Sequence, residues 1–402
     1  MQAANVARYF PSDSAVLEID LEAVRANYRT MAGLLGPDVI AAAVVKSDAY
    51  GLGLEPVART LWDGGCTSFF VANLEEALKL RAVCPFARIA VFHDDYDRFR
   101  RIYRMEDILP VINTPEELDF HFRTAATDPY LLNVDTGFSR LGLSSAEVSD
   151  FSSKGWFLEH PPRILISHLA CSDHSSDTMN EMQKQRFEAF RGSVRPVSSS
   201  LVASAGAWLD TSFHFELARI GSALFGINNA GVRPNPLRPV LSLRARVLAV
   251  REVFAHEAVG YGATFRARRN SRIAIVGIGY AQGLPWACAG RISVRFGAHS
   301  APVVGRISME YVTVDVTDVP PELCAPGAWA QFLHDEFDVG DLAAEIGVNA
   351  QEIVMRLGSG CLKRHRQDVS GEAELIVWRH RPPPETSGLY HSTGDPAVRG
   401  GV

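Results

Sequence analysis

Between residues 38 and 221 one pattern repeats along the chain: a short, almost wholly apolar run and then a stretch compatible with a helix. The runs are IAAAVV (40–45), SFFVA (68–72), RIAVF (88–92), ILPVI (108–112), YLLNVD (130–135), RILISH (163–168), SSLVAS (199–204) and FHFELAR (213–219). Strands this apolar are buried on both faces, and their alternation with amphipathic segments such as NLEEALKLRAV calls for parallel pairing with helices outside. Eight such units predict an α/β fold whose N-terminal part is a (β/α)8 TIM barrel. An open doubly wound sheet is the alternative, and eight repeats suit a closed cylinder better.

After Gly226 the texture changes. NNAGVRPNPLRP disfavours regular structure and reads as a linker. From residue 240 the segments LSLRARVLAV, RIAIVGIGYA, RISVRF, APVVGRISM and YVTVDVT have strand composition broken by Gly and Pro, with one helix expected near 341–357. A chain of 402 residues is long enough for two cores. We therefore expect a barrel over 14–235 and a second, mostly β domain over 236–381, with residues 1–13 packing against the latter. The Pro-, Gly- and Ser-rich stretch 382–402 is expected to be a disordered tail.

The 40 basic and 46 acidic residues leave a net charge of -6, which gives neither nucleic acid nor an anionic membrane a reason to bind. The N-terminus lacks an apolar signal region, and no run approaches the roughly 18 to 20 apolar residues that cross a bilayer, so a cytoplasmic protein is expected. The six cysteines are scattered without a C-x-x-C pair, so neither a zinc ribbon nor a disulfide scaffold is suggested, and no metal is expected.

Active sites of TIM barrels form at the C-terminal ends of the strands. The residues delivered there are unusually polar: Lys46 after the first strand, Arg140 past the fifth, His168 at the sixth, Ser204 at the seventh, Arg219 and Gly221 at the eighth. A lysine ending a buried strand is costly unless it is paired, neutral or covalently used, and an imine to an aldehyde cofactor meets that condition. The loops after strands seven and eight commonly cradle phosphate in this architecture. Ser204 offers a hydroxyl there, and Arg219-Ile220-Gly221-Ser222 offers backbone N–H groups at an expected helix start. Taken singly, a Ser or Gly at a strand end is turn chemistry and His168 a core histidine; their coincidence with Lys46 favours a site.

The segment AAAVVKSDAYGLG (41–53) resembles the pyridoxal-phosphate attachment segment of the alanine racemase family. VDTGFSRLGL (134–143), ISHLACSD (166–173), ELARIGSALFG (216–226), VGYGATFRA (259–267), IGYAQGLP (278–285) and VGRISMEYVTVDVTD (304–318) resemble the family's later segments in the same order. The resemblance implies an amino-acid racemase using pyridoxal 5'-phosphate, most simply converting L-alanine to D-alanine. It implies that Lys46 carries the cofactor, that Tyr50, Ser204, Gly221 and Ser222 hold its phosphate, that Arg140 bonds its phenolic oxygen near the substrate carboxylate, and that His168 lies against its ring. Arg219 would face the pyridine nitrogen. A guanidinium keeps its own protons, so that nitrogen stays unprotonated and the ring withdraws electrons more weakly.

Racemisation needs a proton carrier on each face of the substrate. The resemblance assigns Lys46 to one face and Tyr261 to the other, with Met309 contacting the substrate carboxylate; both belong to the opposite subunit, so a homodimer with shared active sites is implied. Read alone, Tyr261 between two glycines is a turn aromatic.

Several residues depart from the family pattern. Asn133 stands where many members have a carbamylated lysine, Ala203 replaces an Asn, Trp286 an Arg and Glu310 an Asp. Gln351 replaces a tyrosine that narrows the pocket, which suggests tolerance of a larger or more polar substrate such as serine. A barrel decarboxylase for basic amino acids and a non-catalytic cofactor-binding protein are the rival readings. Arg219 and GYGATF speak against the first, and retention of the β domain speaks against the second.

Overall fold

The computed structural model describes residues 14–369 and 372–376. The expectations for residues 1–13 and 382–402 fall outside them. All eight apolar runs form strands: β2 (Ile40–Val44), β3 (Ser68–Val71), β4 (Arg88–Val91), β5 (Ile108–Ile112), β6 (Leu131–Asn133), β7 (Ile164–Ile166), β8 (Ser198–Ser200) and β9 (Leu217–Ile220). They pair in parallel in chain order, and β9 returns to β2. The seam between β8 and β9 is carried by the Ala203–Arg219 bridge and by the Arg219 N–H donating to the Val202 carbonyl at 3.0 Å. The sheet is therefore a closed cylinder.

Residue alternation sorts the side chains of each strand between two cores. Ala42, Val44, Phe70, Ala90, Val111, Leu131, Ile166 and Leu217 fill the inside of the barrel. Ala41, Ala43, Phe69, Val71, Ile89 and Ile112 point outward into the layer shared with the helices. The helices start where their caps dictate: Asn73, Thr114 and Ser144 each accept a backbone N–H three residues on. Residues 227–240 run between the domains without a helix or strand.

Only the run 108–112 keeps its full length; the others give shorter strands, the last four most markedly, with YLLNVD reduced to Leu131–Asn133 and RILISH to Ile164–Ile166. The run 213–219 yields only Leu217–Ile220, because Asp210 caps a tight turn over Thr211–Phe213 and Phe215 takes a left-handed conformation at φ 51°. The run 199–204 yields Ser198–Ser200; beyond it Leu201 and Val202 pack into the outer core, and Ala203 and Ser204 line the cavity.

Among the described residues the second domain has a nine-stranded sheet, a two-stranded ribbon (Ala258–Val259 with Phe265–Arg266) and two helices. Its spine is β10 (Leu241–Val253), which pairs with Trp329–Leu333 along one half and with Ser271–Val276 along the other. A register shift between Val247 and Ala249 lets one strand serve both neighbours. The single helix expected near 341–357 is two, Val339–Ile346 and Ala350–Gly360. Gly347, left-handed at φ 69°, ends the first, and Asn349 caps the second.

The barrel range 14–235 also contains a strand of the other sheet. β1 (Ala15–Asp20) pairs antiparallel with β10 and parallel with Leu362–Val369. Its alternation looks like a first barrel strand, but partners more than 200 residues away claim it. Among the described residues no helix is long and apolar enough to cross a membrane, and no cluster of His, Cys, Asp or Glu could hold a metal ion.

Candidate active site

The first barrel strand delivers Lys46 through an unusual turn. Ser47, Asp48, Ala49 and Tyr50 all have φ between 52° and 60°. A left-handed conformation costs a non-glycine residue roughly 1–2 kcal/mol, so four in a row must be held by their surroundings. Local bonds supply part of this: the Gly51 N–H donates to the Ser47 carbonyl at 2.7 Å and the Gly53 N–H to the Asp48 carbonyl at 2.9 Å. The second domain supplies more. Lys363 donates to the Asp48 carboxylate at 3.2 Å and to the Gly51 carbonyl at 2.8 Å. A side chain on Gly358 would place its Cβ 2.5 Å from the Gly51 oxygen, so the helix Ala350–Gly360 can lie against the turn only because residue 358 is glycine.

The Lys46 amine opens into a cavity of about 460 Å³, also lined by Tyr50, Arg140, His168, Ser204, Arg219, Gly221, Ser222 and Gln351. Every barrel residue expected at the site is thus brought together. The amine sits 5.6 Å from the centroid of the Phe92 ring. Desolvation first, and then the Arg140 and Arg219 charges, hold its pKa below the ordinary lysine value, although Glu76 acts the other way. A larger neutral fraction makes a better nucleophile toward a carbonyl.

At the far end of the cavity, the Ser204 hydroxyl accepts from the Gly221 N–H at 2.9 Å and from the Ala223 N–H at 3.3 Å. That oxygen is thereby fixed and its own proton left to donate. Burial pushes the Tyr50 phenol up to about 12, so it too remains a donor at neutral pH. A Cβ on Gly221 would come within 2.5 Å of the Tyr50 oxygen, so a side chain there would fill this cradle. The helix expected to open at Ser222 is one 3-10 turn, Ser222–Phe225. Its dipole is correspondingly small, and anion binding rests on hydroxyl and N–H donors.

Arg219 is buried on β9, its guanidinium donating to the Ser200 carbonyl at 2.7 Å, to the Ser200 hydroxyl at 2.6 Å and to the Ser167 carbonyl. Burial lowers its pKa only to about 10, so it stays charged. Within β8 it is Ser200 that grips this arginine, through both its carbonyl and its hydroxyl. His168 is held neutral, its pKa lowered to about 3 by burial and by the charges of Arg219, Arg140 and Lys46. Arg140 lies 4.3 Å over the Phe138 ring, and Phe138 packs 5.3 Å from His168. Three cations against one neutral imidazole make the cavity attractive to a multiply charged anion.

Tyr261 and Met309 do not line this cavity. They lie on the second domain, 70% and 57% exposed, with Tyr280, Trp286 and Tyr311 also unburied nearby in the chain's loops. Tyr280 and Ala281 donate backbone N–H groups to Ser308 and Met309, and Arg306 lies 5.9 Å from the Trp286 ring and against Gly262, so these loops share one surface. Sequence reasoning missed Phe92 and Asn113. Phe92 closes the third run, RIAVF, so its place at a strand end was available. Asn113 donates to the Phe92 carbonyl at 2.8 Å and accepts from Asn133 at 2.9 Å, a pairing that only the barrel creates.

A lysine, a buried arginine and a donor cradle converging at the mouth of a barrel, with a β domain attached, define an enzyme that works on a small anionic ligand. Residues 19–229 match the model of the alanine racemase N-terminal domain, and residues 240–365 that of the C-terminal domain. Alanine racemase 3 of Mesorhizobium japonicum is 52% identical over 363 residues, covering 90% of this chain and 93% of its own. The biosynthetic alanine racemase of the same organism is 52% identical over 354 residues, covering 88% and 89%. Among solved structures, the Bartonella henselae alanine racemase, with covalently bound pyridoxal phosphate, superposes with a TM-score of 0.82 at 32% identity, covering 88% of this chain and 99% of that one. The chain belongs to the alanine racemase family.

Proposed function

We propose that this protein interconverts L- and D-alanine as a cytoplasmic homodimer, with pyridoxal 5'-phosphate as its cofactor. The observation that carries the reading is the Lys46 amine, lowered in pKa and opening into one cavity with Arg219, Arg140 and the Ser204–Gly221 cradle. The donor set fits the cofactor: an amine for its aldehyde, hydroxyl and N–H donors for its phosphate, and a guanidinium for its ring nitrogen. When bound, the cofactor supplies an electron-withdrawing ring that acidifies the substrate Cα proton.

The protein's own work is to hold and move protons around that centre. Lys46 would hold the cofactor through its aldehyde and would carry a proton on one face of the substrate Cα. Tyr261 of the partner subunit carries a proton on the other, and Met309 of the partner subunit contacts the substrate carboxylate. Arg219, fixed by three acceptors and charged, would face the cofactor's ring nitrogen and, as a donor that keeps its own protons, would leave that nitrogen unprotonated. Arg140 draws the substrate carboxylate, and neutral His168 adds a ring wall without adding charge. The exposed aromatic surface around Tyr261 supports the dimer, since an apolar patch rimmed by polar groups marks an interaction face.

A circular-dichroism assay over L-amino acids with added pyridoxal phosphate tests the reading. L-Alanine is expected to racemise, whereas release of carbon dioxide from L-ornithine or L-lysine without racemisation would favour a decarboxylase. Gln351 gives a second expectation because it lines the cavity itself. A primary amide is smaller than a phenol and both donates and accepts, so L-serine should also turn over. A preference for alanine over serine of about a hundredfold or more, worth roughly 2.7 kcal/mol, sinks that extension.

A further inference from the structure

The strained turn that presents Lys46 has a support outside both its own strand and the cavity. Glu76 is the third residue of the helix Leu74–Val83, behind the cap residue Asn73. One of its oxygens accepts the Ala72 N–H at 2.8 Å, and the other accepts the Asp48 N–H at 2.9 Å. The same helix position two units later is Glu117, behind the cap residue Thr114. Its carboxylate accepts the Asn113 N–H at 2.7 Å, four residues back, as Glu76 does with Ala72. Closing its own strand-to-helix loop is therefore a repeated use of this position in the barrel. The reach of the second Glu76 oxygen into the lysine turn is additional to it.

We propose that Glu76 is a positioning residue for Lys46, its carboxylate clamping the left-handed turn 47–50 to the neighbouring barrel unit so that the amine faces the cavity. The clamp meets a second one from the opposite side, where Lys363 holds the Asp48 carboxylate. A carboxylate suits the task because it accepts two N–H groups at once, whereas a glutamine in its place accepts one and turns its own NH2 against the other. The charge acts as well. Arg140 and Arg219 depress the Lys46 amine and Glu76 raises it, while His168 stands neutral beside them. Glu76 thus offsets part of a cationic field that the cavity needs for anion binding. The proposal rests on Lys46 being the cofactor-bearing amine.

The test uses the dimer stripped of cofactor. Trinitrobenzenesulfonate labelling of Lys46, followed by peptide mapping across a pH series, reads the amine's protonation, and fluorescence quenching reads pyridoxal phosphate affinity. For Glu76→Gln, the labelling midpoint is expected at lower pH than in the wild type, and cofactor affinity about tenfold weaker, the usual scale for a donor left unpaired. Glu117→Gln removes the equivalent loop closure elsewhere and is expected to leave the Lys46 midpoint in place. Glu76→Asp keeps the charge but is one methylene too short for both amides, so affinity should fall with little midpoint shift; it also serves if the glutamine variant does not fold. Identical midpoints in Glu76→Gln and wild type, or wild-type affinity in Glu76→Asp, overturn the proposal. Labelling of Lys46 that pyridoxal phosphate fails to block in the wild type would instead overturn the cofactor assignment beneath it.

Discussion

Replacing Lys46 with alanine is expected to lower racemisation by about 10^4-fold or more, since the proposed mechanism uses the amine as both attachment point and proton carrier, and proton transfer alone contributes about 10^2 to 10^4. The variant should still fold. Lys46 opens into the cavity and is not packed in either core, and the turn that follows is held through Asp48, Gly51 and Gly53. Thermal unfolding should therefore stay close to that of the cofactor-free wild type. The same variant should retain no pyridoxal phosphate after borohydride reduction, whereas the wild type should carry it on the peptide containing residue 46. A lysine variant that keeps measurable turnover at wild-type KM would place the chemistry elsewhere.

Tyr261→Phe is expected to separate binding from turnover. The side chain is 70% exposed in the single chain and belongs to no core cluster, so the loss of one oxygen should leave the fold unchanged. The cofactor cradle lies in the barrel, so the visible absorption of the bound coenzyme should survive. Racemisation should nevertheless fall by about 10^2- to 10^4-fold, because one face of the substrate loses its proton carrier. Equal loss in the L-to-D and D-to-L directions is required, as the equilibrium constant of a racemisation cannot change. Undiminished activity would remove Tyr261 from the mechanism.

The barrel was readable in the sequence because parallel strands covered on both faces must be apolar throughout, and eight such runs leave few other folds. The polar residues at the strand ends were readable for the same reason: a lysine closing IAAAVV stands out against its neighbours. β1 was not readable, since AVLEID alternates like an ordinary strand and its partners in β10 and Leu362–Val369 come from the far end of the chain. The left-handed turn was hidden for a different reason. None of Ser47, Asp48, Ala49 and Tyr50 is a glycine, and part of the bonding that holds them comes from Glu76 and Lys363, remote in sequence. Tyr261 taken alone looked like the turn aromatic it is, lying in a 3-10 turn between left-handed Gly260 and Gly262. Its exposure beside Trp286 and Met309 appears only when three separate loops are brought onto one face.

The central claim is that each active site joins Lys46 of one chain to Tyr261 of another, and hybrid dimers test it most directly. Lys46→Ala and Tyr261→Phe chains, each inactive alone, can be co-expressed with different tags and the mixed dimer purified through both. One of its two sites then pairs an intact Lys46 with an intact Tyr261, so the hybrid should recover about half of wild-type activity, and a random equal mixture about a quarter. A mixed dimer as inactive as its parents would contradict the shared site and return both residues to a single chain.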